Sequence, residues 1–427
     1  MTDVKPFRAL RYTRKVELSR VLAPVYDVVA PEDRPLYWDR DPHNALRLEL
    51  TKSVEDEADT DYRETADRLA EWRDAGVLAR DAVPALYVLR QSFVAPGGAH
   101  ALTPDGQELA RTGFLAALRL EDYAKRVVRP HEKTLAGPKA DRLKILRATR
   151  ANLSGVFMLY EDRANELEAT FEAALASEAA VEAKDDAGIV HRLAPLVDGD
   201  AVARIVDFLA PRPVVIADGH HRYETALAFR DERRDAGAGD AEAPHERILA
   251  YFANAFAPGS LLLPIHRLVR KGPPPGDAVW RRLTGWEQRE VALDSAEAVP
   301  ELLARHLAPL ADRHAFAADD GAGRLRIFSR PADGELTVRV LHREVLGELL
   351  GLDEAAVRDG AVAFPKSTLQ TARDVRTGRG CLALYLNPLR PDDVFRVTEA
   401  GETLPQKSTF FYPKLPTGIL FRTLESE

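Results

Sequence analysis

The sequence predicts a mixed α/β (α+β) protein of more than one domain, and three observations carry that prediction. The chain has 427 residues, more than the roughly 100–200 that one domain usually holds. Short β-branched runs such as Val214-Val215-Ile216 alternate with stretches at helical spacing. Around Asp218-Gly219-His220 one such run passes through a glycine straight into a helical pattern, which predicts a strand, a tight turn and a helix start.

In chain order, residues 23–31 and 41–50 read as turn, strand, turn, strand, with Leu46, Leu48 and Leu50 alternating. Tyr62, Ala66, Leu69, Ala70 and Trp72 share one face of a helix over 60–75, which Gly76 ends. Residues 85–93 form a strand, Pro96-Gly97-Gly98 a turn, and 106–120 continue the sheet. A helix over 138–149 lies within a segment, 127–160, that is unusually dense in polar heads. A strand at 157–160, an Ala/Glu-rich helix over 165–183 and a helix over 201–209 follow, the last stopped by Pro211-Arg212-Pro213. Strands are expected at 214–217, 248–256 and 261–265, and helices near 294–307 and 343–350. Gly272-Pro273-Pro274-Pro275-Gly276 is the clearest linker. The expected division is 1–125, 126–271 and 277–427.

A formal net charge of -8 makes nucleic acid an unlikely partner, because a duplex-binding surface would need a local basic patch against that background. The single cysteine, Cys381, excludes an intramolecular disulfide and a thiolate metal cage, and points to a reducing compartment. Residues 1–11 lack an apolar signal core, and no apolar run approaches the roughly 20 residues of a membrane span. A cytoplasmic protein with no membrane partner is therefore expected, and a homodimer is left open.

The densest chemistry is Asp218-Gly219-His220-His221-Arg222. Glycine lets the backbone approach a phosphate, the helix N-terminus offers unpaired N–H donors, and arginine adds a two-pronged contact. The alternatives are a helix cap at Asp218 with histidines satisfying buried carbonyls, or a metal held by Asp218 with one of the histidines. A second candidate is Arg129-Pro130-His131-Glu132-Lys133-Thr134, where a carboxylate between two basic side chains could act as a general base or hold magnesium. Capping and surface ion pairs explain it as well. Tyr26-Asp27 and Asp41-Pro42-His43-Asn44 read as turn chemistry. Residues 406–414, with two lysines and three aromatics, read as an aromatic strand packing a domain edge, or as a segment closing over a ligand.

Taken in order, Pro6-Phe7-Arg8, Ala23-Pro24, Tyr26-Asp27-Val28, Asp41-Pro42-His43-Asn44, His131-Glu132-Lys133-Thr134, Asp141-Arg142, residues 216–224 and Pro405-Gln406-Lys407-Ser408-Thr409 resemble the domain-of-unknown-function 1015 family nearly end to end. A narrower likeness concerns Asp218 to Glu224, which resembles the phosphate box of the ParB and sulfiredoxin superfamily. His220 takes the place of the sulfiredoxin cysteine, so sulfiredoxin's reductive chemistry is not implied. Within that superfamily Arg129-Pro130-His131-Glu132 is similar to the run whose glutamate is the catalytic base of free serine kinases. The 85 or so residues between the two motifs require an insertion relative to such a kinase.

The resemblance implies a central ParB/sulfiredoxin-like core and a magnesium-dependent phosphotransferase. Its donor would be ATP or ADP, and its acceptor a small hydroxyl-bearing metabolite such as free serine. In that reading Glu132 is the base, and Gly219 to Arg222 cradle the phosphates together with His131 and Lys133. His220 or His221 offsets charge, and Asp218 holds Mg2+ or orients a histidine. The rivals are a ParB-like nucleotide-switched DNA-binding factor and a nucleotide hydrolase. The former should carry a basic helix-turn-helix after the box, where the sequence shows Gly/Pro-rich connections and mixed charge.

Overall fold

A computed structural model of the chain describes residues 1–57, 60–96, 106–132, 136–405 and 407–425. Among these residues the larger of two main sheets has nine strands. They run in the order Val181–Lys184, Val190–Leu196, Leu86–Val94, Glu108–Arg119, Arg247–Asn254, Val156–Tyr160, Val214–Asp218 and Val128–Pro130, with Val4–Lys5 added on Glu108–Arg119. Most neighbours are antiparallel. Arg247–Asn254 runs parallel to Val156–Tyr160, and Val214–Asp218 parallel to Val128–Pro130. The fold class is mixed α/β, as expected.

The β-period of two sorts side chains between two cores. Val214 and Ile216 face one way, toward Leu209 of the helix Gly199–Leu209, Phe171 of Glu168–Leu175, and Tyr223 and Ala226 of His220–Asp235. Val215 and Ala217 face the other, into a cluster shared with Phe316, Phe328, Leu384 and Phe411 of the C-terminal region. Val214, Val215 and Ile216 are fully buried, each contributing on the order of 1.5–3 kcal/mol relative to exposure. Apolar residues fill this strand because both of its faces are covered.

The second sheet runs Glu287–Ala292, Arg324–Pro331, Arg313–Asp319, Leu382–Leu386, Arg267–Val269, Val362–Ala363. The strand Arg267–Val269 precedes the 272–276 linker yet belongs to this sheet, and the 125/126 border falls inside the nine-stranded sheet. Both follow from the shared core, since strands from all three regions bury one another's faces.

Three element expectations need correction. Residues 45–48 form a 3-10 turn rather than a strand, because the Asn44 side chain accepts the Leu46 N–H and caps it. The helix expected over 165–183 is confined to Glu168–Leu175, and Val181–Lys184 pairs instead with Val190–Leu196. The helix near 343–350 begins earlier and is wide-turned, a π-helix over Leu341–Leu349. No helix among the described residues is long and apolar enough to cross a membrane.

Candidate active site

Parallel pairing explains how two motifs far apart in sequence meet. Val214, Val215 and Ile216 stand opposite Val128, Arg129 and Pro130, so the two chains leave the sheet together at their carboxyl ends. One continues as His131-Glu132 and the other as Asp218-Gly219. Crevices at the carboxyl ends of parallel strands are where α/β proteins bind ligands. Gly219 adopts φ +90°, a conformation costly for other residues. It turns the strand into the helix His220–Asp235, whose first-turn N–H groups have no intrahelical acceptor.

The histidines brace this turn. The His131 ring Nδ1 donates to the Ile216 carbonyl, which leaves Nε2 as acceptor for the Thr409 hydroxyl at 2.7 Å. The His131 backbone N–H donates to His220 Nε2 at 3.3 Å, so that nitrogen carries no proton, and the two rings meet edge-to-face at 4.7 Å. Burial pushes His131 below its ordinary pKa and His220 well below it, nearby positive charge adding to the shift at His220. Half-buried His221 is also pushed down, chiefly by burial. Burial thus favours the neutral form of all three rings, in which one ring nitrogen can donate and the other accept a hydrogen bond.

Asp218 is held between two cations. Arg222 Nη2 donates to its Oδ2 at 2.7 Å, and Lys414 Nζ to its Oδ1. Arg222 Nη1 also donates to the Gly155 carbonyl at 2.6 Å. Arg222 therefore stands behind the turn as a brace and does not line the cavity that Gly219, His220 and His221 open onto, contrary to its expected role as a phosphate ligand. With both carboxylate oxygens ion-paired, Asp218 does not fit the part of a magnesium ligand either. Among the described residues no group of three or more His, Cys, Asp or Glu side chains could hold a metal ion.

That cavity has a volume of about 140 Å³. It collects His131, Glu132, Asp218, Gly219, His220 and His221 from the two motifs, and Tyr26 and Asp27 from the N-terminal region. Lys133 lies outside the described residues. The positive charge comes from Lys366, Lys407 and Lys414 of the C-terminal region. Burial pulls the Lys414 pKa down, while Asp27 and Glu132 oppose the shift. The Lys407 backbone N–H donates to Glu132 Oε1 at 3.2 Å, and Lys366 Nζ lies 4.1 Å from the Phe410 ring centroid.

Long-range contacts fix these lysines. Phe410–Tyr412 pairs antiparallel with Leu261–Leu263, placing one lysine on either side of a short strand. The Lys414 carbonyl accepts from Gln91 Nε2 at 3.1 Å, and the Pro413 carbonyl from Arg111 Nη2 at 2.5 Å. Arg111 is fully buried, with its guanidinium 4.4 Å from the Phe157 ring centroid. Residues 407–414 thus supply both an aromatic strand and a wall of the cavity, while Gln406 lies outside the described residues. Sequence reasoning missed Lys366 outright, since nothing around it has an unusual pattern.

The family described as "Protein of unknown function (DUF1015)" matches residues 4–284, more than half of the chain. The chain belongs to that family. The family match takes in both motifs and the cavity's N-terminal wall, whereas Lys366 and the 405–414 segment lie beyond it. No curated protein matches. Among solved structures the chain is similar to a free serine kinase in complex with AMP, with 12% identity and a TM-score of 0.34 over 70% of this chain and 86% of that one. It is also similar to a conserved hypothetical protein from Pyrococcus furiosus, with 13% identity and a TM-score of 0.34 over 71% and 93%. A third is SbnI with a C-terminal truncation from Staphylococcus aureus, with 10% identity and a TM-score of 0.35 over 71% and 85%.

Proposed function

We propose that this protein transfers a phosphoryl group from ATP or ADP to the hydroxyl of a small metabolite, free serine being one candidate. The observation that carries the reading is the juxtaposition, in one cavity, of the Glu132 carboxylate with Lys366, Lys407, Lys414 and the N-terminus of the helix His220–Asp235. A base beside an anion cradle is what phosphoryl transfer to an alcohol requires. The volume of about 140 Å³ is close to that of a cavity that admits benzene, about 150 Å³. It suits the reacting groups, with the rest of the nucleotide outside.

In this reading Glu132 takes the hydroxyl proton, oriented by the Lys407 N–H. The acceptor oxygen forms a bond to phosphorus while the bond from phosphorus to the nucleotide's bridging oxygen breaks, and its electron pair leaves with the nucleotide. The lysines and the first-turn N–H groups stabilise the charge on the phosphoryl oxygens. Because Asp218 is already neutralised by Arg222 and Lys414, no step is routed through magnesium.

The test is nucleotide consumption with and without a set of hydroxyl metabolites, in wild type and Glu132→Gln. Acceptor-dependent consumption should fall at least about 100-fold in the variant while nucleotide affinity is kept. Equal turnover by Glu132→Gln would remove Glu132 from the mechanism. Consumption indifferent to any acceptor would make the protein a hydrolase.

A further inference from the structure

We infer that Asp27 makes the lysine-lined cavity selective for ligands that carry a protonated amino group beside the phosphate or the accepting hydroxyl. This role for Asp27 rests on the phosphotransfer reading of the same cavity and narrows its acceptor to a compact amino alcohol. Asp27 belongs to the N-terminal region, on the 3-10 turn Tyr26–Val28. Two contacts place that turn at the cavity. Ala23–Pro24 pairs antiparallel with Pro416–Thr417, Pro24 standing opposite Pro416, so the residues after Pro24 run beside those before Pro416, Lys414 among them. The Tyr26 ring packs against two guanidinium groups, its centroid 4.2 Å from that of Arg142 and 5.9 Å from that of Arg222.

The charge of Asp27 acts on the cavity itself. Burial pulls down the pKa of Lys366, Lys414 and His221, and the Asp27 charge opposes that shift at each of them; all three line the cavity with it. Asp27 is nevertheless at an exposed position, and its carboxylate has no hydrogen bond or ion pair among the described residues. The remaining charges of the cavity have partners or roles. Asp218 is cancelled by Arg222 and Lys414, Glu132 serves as the base, and Lys366 and Lys407 face the phosphate. A lone carboxylate in the same space repels a phosphate. The repulsion is offset when the ligand brings its own cation, and an ammonium also gives the carboxylate the donors it lacks. At about 140 Å³ the cavity is close to one that admits benzene, about 150 Å³, and an amino alcohol of that size can set its hydroxyl at Glu132 and its ammonium at Asp27.

Phosphoethanolamine and propyl phosphate share a shape and differ in an ammonium against a methyl group. Calorimetric titration of the full chain should show phosphoethanolamine binding at least about tenfold more tightly than propyl phosphate. Asp27→Asn keeps the shape of the side chain and removes its charge. The variant should bind phosphoethanolamine at least about tenfold more weakly than wild type does. It should bind propyl phosphate more tightly, because a negative charge has left the surroundings of the phosphate. Nucleotide consumption with L-serine and with L-glycerate, which has a hydroxyl in place of the amino group, reports transfer separately from binding. Equal transfer to both would overturn the role of Asp27 and keep the phosphotransfer reading, whereas the binding preference without any transfer would do the reverse. Circular dichroism reports whether Asp27→Asn folds, and the wild-type preference decides alone if it does not. Equal binding of the two esters by wild type, or no binding of either, overturns the proposal. A folded variant that keeps the preference, or that loses both esters alike as the loss of a metal ligand would cause, overturns it as well.

Discussion

The two walls of the lysine-lined cavity are built in opposite ways. The wall made by His131 and residues 218–221 is held from within: Asp218 is paired twice, His131 spends both ring nitrogens on protein partners, and His220 accepts a backbone N–H. The opposite wall carries Lys366 and Lys407 on exposed positions, held by a short strand and a cation–π contact, with no ion pair to either lysine among the described residues. Cancelled charges make a stiff frame, and uncancelled ones make a binding surface. Damage to the first wall should therefore appear as lost stability, and damage to the second as lost affinity.

The sharpest way to break that distinction is Asp218→Asn. It leaves Lys414 and Arg222 facing each other without a counter-charge, and unfolding in urea should show a loss of about 3–5 kcal/mol. A variant as stable as wild type would mean that the first wall is not a frame. Gly219→Ala should cost less, about 1–3 kcal/mol, because φ is +90° and the new Cβ would lie 2.9 Å from Arg222 Nε. The guanidinium can yield a little, which keeps the effect below that of Asp218→Asn.

A smaller effect separates the walls by pH. His131 and His220 have folded pKa values below their ordinary 6.5, so as pH falls through about 6.5 the unfolded chain takes up protons that the folded chain refuses. Stability is full above that value and declines below it, toward the lower folded pKa values. The urea midpoint should drop between about pH 7.5 and about pH 5.5, and His220→Asn should flatten that slope. An equally steep slope in the variant would show that the buried pair is not its source.

What the sequence could reveal follows the same division. The strand Val214–Asp218 and its glycine turn were legible because hydrophobic period and turn chemistry are local properties. The likeness of His131-Glu132 to a catalytic run flagged the second motif, but only the parallel register of Val128–Pro130 on Val214–Asp218 brings the two together. Lys366 and Lys414 owe their positions to Phe410–Tyr412 pairing with Leu261–Leu263 and to Gln91 and Arg111, more than 300 residues before Lys414. Such contacts leave no periodic trace. The double pairing of Asp218 was hidden for the same reason, since its second cation, Lys414, arrives from a segment that reads as an aromatic strand.

The central claim is that the exposed lysine wall binds the phosphates of a nucleotide. Calorimetry with ATP and with ADP on wild type and on Lys366→Met with Lys407→Met tests it most directly. The account predicts binding by wild type that weakens with added salt and falls at least about tenfold in the double variant, with an unfolding midpoint close to wild type. No binding of either nucleotide to wild type, or undiminished binding by the double variant, would contradict it.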